Sequence, residues 1–108
     1  MRKLNVYRNG ELVGELTEQS RQLYIFRYTD AWFADASKPA ASLTLPKVQK
    51  EYRSDHLFPF FFNLLSEGAN RKLQTRALKI DENDDFGLLA ATARYDTIGS
   101  ITVKPTPS

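Results

Sequence analysis

The sequence predicts an α+β domain: a small antiparallel sheet, formed by an N-terminal hairpin and a returning C-terminal strand, packed with about three helices. Three observations carry that expectation. Apolar and polar residues alternate through most of the chain up to Tyr28, the period of a half-buried strand. Helical spacing of apolar residues takes over from Leu57 and runs to Ala93. Alternation then returns over Ile101 and Val103. Strands, then helices, then one further strand is the order of a sheet with helices segregated to one side. With 108 residues and 42% hydrophobic content, the chain can fill one core and is too short for two.

The elements follow in order. Leu4 and Val6 alternate with Lys3, Asn5 and Tyr7; Asn9-Gly10 comes next, followed by Glu11 to Leu16. Two short strand-like runs joined through Asn-Gly give a strong hairpin signal, because both residues accept the positive φ of a tight turn. Gly14, inside the second run, marks a bulge or a close backbone approach. Thr17 to Ser20 reads as a turn, and Leu23 to Tyr28 as a third strand rich in aromatic and β-branched residues. Thr29 to Ala41 is expected as a loop with a helical turn at Asp30–Phe33. Ser42-Leu43-Thr44-Leu45 is expected as a short strand stopped by Pro46. Lys47 to Tyr52 either continues that strand or crosses the surface.

The run from Leu57 to Gly68 is the apolar centre of the chain. Phe58, Phe61, Phe62 and Leu65 stand at i, i+3, i+4 and i+7, while Leu57, Phe60 and Leu64 make a second apolar face. At about 1.5–3 kcal/mol for each fully buried large side chain, these residues supply much of the core energy. Pro59 suits the first turn, where its missing N–H costs no bond, and Ser54 or Asp55 is placed to cap it. Leu73, Ala77 and Ile80 define a second, narrow amphipathic helix. Asn83 or Asp84 then caps a third, marked by Phe86, Leu89, Ala90 and Ala93. Ile98, Ile101 and Val103 form the last strand, ended by Pro105 and expected to rejoin the N-terminal sheet. This gives a single domain over 1–104 and a frayed tail over 105–108.

Most chemistry is argued against by composition. There is no cysteine, hence no disulfide or thiolate metal site, and the single histidine, His56, cannot form a multi-histidine centre. The N-terminus lacks a signal-peptide core, and the longest apolar run, Leu57 to Phe62, is far below the ~20 residues of a membrane span. A cytoplasmic location is expected, with no cofactor, metal or membrane contact. Asp85-Phe86-Gly87 spells the magnesium-holding triplet of protein kinases, but no glycine-rich phosphate loop or catalytic loop accompanies it. It reads as a helix start with Phe86 in the core. His56 beside Asp55, and Ser66 beside Glu67, lack a nucleophile turn and read as capping or surface groups. No enzyme constellation is present. The net charge of +2 is a near balance, and the basic residues Arg71, Lys72, Arg76 and Lys79 are followed at once by Asp81, Glu82, Asp84 and Asp85. They read as a solvated helix face, so direct nucleic-acid binding is not expected. Trp32 and Phe33, aromatic residues in a loop, either lid the core or anchor a partner.

Five stretches in this order resemble the N-terminal domain of HipA-type toxin kinases. They are Leu4-x-Val6-Tyr7-x-Asn9-Gly10-x-x-Val13-Gly14-x-Leu16, Ser42-Leu43-Thr44-Leu45-Pro46, Phe61 to Gly68, Asp85-Phe86-Gly87-Leu88-Leu89, and Asp96-Thr97-Ile98-Gly99-Ser100-Ile101. The resemblance spans about Leu4 to Lys104. In two places the chain departs from the family: Ser66 stands where proline is usual, and Tyr95 where glycine is frequent. In full-length members a kinase body follows this domain and carries the catalysis. Split systems also exist, in which a short HipS-like protein binds a separate HipA-like Ser/Thr kinase as its antitoxin, together with a HipB-like DNA-binding protein. The resemblance thus implies a bacterial, non-catalytic domain that docks on a HipA-like kinase in trans and restrains it. The alternatives are the regulatory first part of a longer kinase, without independent activity, and, more weakly, a nucleic-acid-binding module using the Arg71 to Lys79 face. The partner contacts expected are Trp32, Phe33, Ser66, Glu67, Gly68, Ala69, Asn70, Arg71 and Lys72. Some short relatives offer a bulky aromatic where this chain has Ala69, so any such plug comes from elsewhere.

Overall fold

A computed structural model describes residues 2–42, 44–62, 76–81, 84–92 and 101–105. Five strands form one sheet: β1 (Arg2–Arg8), β2 (Glu11–Ser20), β3 (Leu23–Tyr28), β4 (Glu51–Ser54) and β5 (Ile101–Pro105). Their order is β4-β3-β2-β1-β5 and every described pairing is antiparallel. Three helices are delimited: α1 (Asp30–Ala34), α2 (Pro59–Phe62) and α3 (Asp85–Thr92). Residues 76–78 are also helical. The returning strand pairs with β1, as the alternation at its residues predicts, and closes one edge of the sheet.

The β1–β2 turn places Asn9 at φ 50° and Gly10 at φ 84°, the positive values that make Asn-Gly a hairpin turn. Gly14 carries both properties read for it. The register slips between Val6 and Tyr7, leaving Val13 as the extra residue of a bulge. A Cβ on Gly14 would lie 2.5 Å from the Arg27 carbonyl oxygen and 3.0 Å from the Phe26 ring, so only glycine fits.

Several boundaries differ from the sequence expectation. Thr17 to Ser20 is not a turn; β2 continues through it, pairing Thr17 with Lys3 and Ile25, and the reversal falls on Arg21-Gln22. Polar residues here do not end the strand, because the solvent face of a sheet accepts them. The expected strand at Ser42–Leu45 is a loop among its described residues. Ser42 Oγ accepts the Thr44 N–H, and the Tyr28 hydroxyl accepts the Ala41 N–H and donates to the Leu45 carbonyl. The fourth strand lies instead at Glu51–Ser54, a polar stretch on a sheet edge. Pro105 belongs to β5, opposite Leu4, which an edge strand permits; residues 106–108 lie outside the described part.

One face of the sheet carries the core. Leu4, Leu16 and Phe26 form one cross-strand row, and Val103, Val6, Gly14 and Tyr28 another. Leu57, Phe58 and Phe61 from the α2 region and Phe86, Leu88 and Leu89 from α3 join them in one cluster. Phe61 sits 5.7 Å from the Phe26 ring. Phe86 is fully buried, so Asp85-Phe86-Gly87 is a helix start. Pro59 opens α2 as expected, but Ser54 does not cap it: its hydroxyl accepts the His56 N–H, while the Phe58 carbonyl accepts from Phe61 and Phe62. Asp84 caps α3, its carboxylate accepting the Gly87 N–H at 3.1 Å.

Candidate docking surface

Among the described residues, the one exposed aromatic side chain lies at the end of α2. Phe61 is fully buried, but its neighbour Phe62 is 40% exposed, contrary to its expected place on the core face. A four-residue helix turned so that Phe61 faces the sheet must turn the adjacent residue outward. Phe62, Leu57, Pro59, His56 and Asp85 line a shallow hollow of about 270 Å³. Its floor is apolar. Its rim is acidic: Asp85 belongs to the lining, and exposed Asp55 stands beside it with Oδ1 2.6 Å from His56 Nδ1. The chain then enters Ser66, Glu67, Gly68, Ala69, Asn70, Arg71 and Lys72, which lie outside the described residues.

Around α1 the two aromatic candidates part ways. Trp32 is 5% exposed, and its indole N–H donates to the Pro39 carbonyl at 2.9 Å. Thr29 caps α1 by accepting the Trp32 backbone N–H, and Lys38 Nζ lies 5.4 Å from the indole centroid. The indole is thus consumed within the fold, as a lid on the core. Phe33 is half-buried, its ring 6.2 Å from that of Tyr28. What remains accessible is a hollow of about 350 Å³ lined by Glu11, Leu12, Ala31, Trp32, Asp35 and Lys38. Glu11 holds the Lys38 ammonium at 2.8 Å and raises its pKa, while Ser37, donating from its N–H and hydroxyl, lowers that of Asp35.

A third cluster was invisible in the sequence. Arg2 reaches from the end of β1 to Glu18 on β2 and to Asp84 at the start of α3, with 2.8 Å to Asp84 Oδ1, and lies 5.0 Å over the Phe86 ring. The Arg2 guanidinium and the Gly87 N–H hold the Asp84 carboxyl below its ordinary range. Burial, reinforced by a hydrogen bond to Glu18, pushes the Tyr24 phenol up to about 12. The members are separated by 16 and 82 positions, so no local pattern could have joined them. The cluster fastens the α3 start to the sheet; every charge in it is spent on another.

Among the described residues, no group of three His, Asp or Glu side chains is placed to hold a metal, and no helix is long and apolar enough to cross a membrane.

The fold defines a small α+β domain on a five-stranded antiparallel sheet, with an exposed phenylalanine at the end of a short helix. The chain belongs to the HipA N-terminal domain family, whose pattern matches residues 4–104. It is thereby related to HipA-type toxin–antitoxin modules. A solved structure of an N-terminal domain of HipA toxin superposes with a TM-score of 0.75 at 28% identity, covering 100% of this chain and 95% of that one. Among sequence relatives, Y4mE of Sinorhizobium fredii, named for an inferred kinase activity, is 31% identical over 105 residues, 97% of this chain. Y4dM of the same organism, named likewise, is 32% identical over 94% of this chain. The chain spans only 25% and 26% of the lengths of these two. An uncharacterized protein of Haemophilus influenzae is 34% identical over 89 residues, 82% of this chain and 79% of its own length.

Proposed function

We propose that this chain is a non-catalytic binding domain of a HipA-type toxin–antitoxin module, docking on a separately encoded HipA-like Ser/Thr kinase in the bacterial cytoplasm and neutralising it. A HipB-like DNA-binding protein completes the module. The observation that carries this reading is the family membership over essentially the whole chain. The short Haemophilus relative, 79% of which this sequence matches, supports a life apart from a kinase body. The contact is made by the α2 end: Phe62 and its hollow receive an apolar side chain from the kinase, with Asp55 and Asp85 facing flanking cations. Ser66 to Lys72 continue this contact, and Phe33 lies at its second point. Trp32 serves by holding its loop in shape.

The test is co-expression with a HipA-like kinase encoded beside this chain's gene. The expected outcome is a co-purifying complex and relief of kinase-induced growth arrest, with Phe62→Ala and Arg71→Glu each weakening both. Absence of binding at micromolar concentrations would sink the pairing. Binding without relief would leave the pairing and remove the antitoxin role.

The quarter-length coverage of the two Sinorhizobium relatives favours one other reading: this domain as the regulatory first part of a longer HipA kinase. An uninterrupted reading frame for a kinase body after Ser108 would select it.

A further inference from the structure

The sheet has a second face, away from α2 and α3, and its composition is set by the register. Lys3, Thr17, Ile25 and Arg53 form one cross-strand row. Lys104, Asn5, Glu15, Arg27 and Glu51 form the next, spanning all five strands. Thr102, Tyr7 and Leu12 follow. Lys3, Arg27, Arg53 and Lys104 are all exposed. The centre is closed over by its neighbours, so Thr17 is only 8% exposed. Leu12, at 42%, is one of the few large apolar side chains left in water.

The charges on this face do not cancel. Glu15 meets Lys3 at 3.6 Å and Glu51 meets Arg53 at 3.1 Å. Among the described residues Arg27 forms no ion pair, and Lys104 lies 5.5 Å from the Tyr7 ring centroid with no described carboxylate in ion-pair reach. Among the described residues in these rows, four cations against two anions make +2, equal to the formal net charge of the sequence. Arg27 on β3 and Lys104 on β5 sit in one row, three strand spacings apart, or about 14 Å. Arginine and tyrosine beside an accessible leucine are residues that protein interfaces favour.

We infer that this outer sheet face is a protein-docking surface for an acidic partner, taking two carboxylates about 14 Å apart on Arg27 and Lys104 while Leu12 and Ile25 meet apolar atoms between charged rims. A second copy of the chain is disfavoured as occupant, because it would set +2 against +2. Nucleic acid is disfavoured because Glu15 and Glu51 interrupt the basic row and Tyr7 lies under Lys104 rather than open for base stacking. The face is separate from the α2 hollow, so the inference stands whether or not that hollow receives a kinase.

The test titrates the nitrogen-15-labelled full chain with a glycine-flanked peptide, Glu-Ser-Leu-Ser-Glu, whose glutamates stand about 14 Å apart when extended. The expected result is amide shifts concentrated in β1, β2, β3 and β5 around Asn5, Glu15, Arg27 and Thr102, with binding weakened about tenfold by Arg27→Glu combined with Lys104→Glu. A lysine-for-glutamate peptide leaves these amides unmoved. Shifts that map elsewhere, equal binding by the double variant, or no shift at millimolar peptide overturns the inference. Duplex DNA that moves the same amides while the peptide does not overturns it in favour of nucleic acid. Concentration-dependent self-association through the same residues overturns it in favour of a second copy.

Discussion

The two faces of the sheet are built from the same strands, residue by residue in alternation, yet they follow different rules. On the inner face Leu4, Leu16, Phe26 and Phe61 are at 0–1% exposure, and the Phe26 ring lies against those of Tyr28 and Phe61. On the outer face Lys3, Arg27, Arg53 and Lys104 are exposed to water. The inner face is where free energy resides, because burial of apolar area scales with the atoms removed from water. The outer face contributes little to stability and so is free to carry charge. In an antiparallel sheet one residue's difference in position decides between these roles.

Four substitutions sharpen the contrast. Phe26→Ala, on the inner face, is expected to cost about 3–5 kcal/mol, enough to leave much of the population unfolded in a urea titration. Gly14→Ala comes next at about 1–3 kcal/mol, because the new methyl group meets the Arg27 carbonyl, which cannot move without breaking the β2–β3 ladder. A thermal midpoint within one degree of wild type would refute the close approach.

Asp84→Ala removes the α3 cap and half of the Arg2 clamp, at about 1–2 kcal/mol from the cap, with little added by the partly exposed ion pair. Because the folded Asp84 carboxyl titrates below its ordinary value of 3.8, its contribution is present above that value and is lost as pH falls through the lower folded one. Urea titrations at a series of pH values, followed by circular dichroism, should therefore show wild-type stability falling more steeply than the variant's as pH drops below about 4, the ionisation part of their difference vanishing in acid. The smallest effect is expected outside: Arg27→Glu should change stability by about 0.5 kcal/mol or less. A larger loss would show that the outer face is structural and end its description as a free surface.

Legibility in the sequence followed the range of the interaction. The Asn-Gly turn, the Gly14 irregularity, the third strand, the turn of helix at Asp30, a cap at Asn83 or Asp84 and the return of Ile101–Val103 to the sheet were readable, since each rests on a dihedral preference or a period. The fourth strand was misplaced. Ser42–Leu45 has the right alternation, but Tyr28 claims its backbone, while Glu51–Ser54 has weak alternation and pairs because β3 offers an open edge. Phe62 was read as core because it fits a helical face on paper. Trp32 was left between lid and anchor, and the bond from its indole to Pro39 makes it a lid.

The sequence by itself determined the fold class, the family, the single core and the lack of cysteine, all of which depend on composition or on residues near one another. Only the tertiary structure decided which strand edges pair, which of two adjacent phenylalanines meets water, how Arg2 joins Glu18 to Asp84, and that Lys3, Arg27, Arg53 and Lys104 share one side of the sheet. Those outcomes depend on the placement of strands distant in sequence, and a side chain's environment is fixed only when its neighbours across the sheet are.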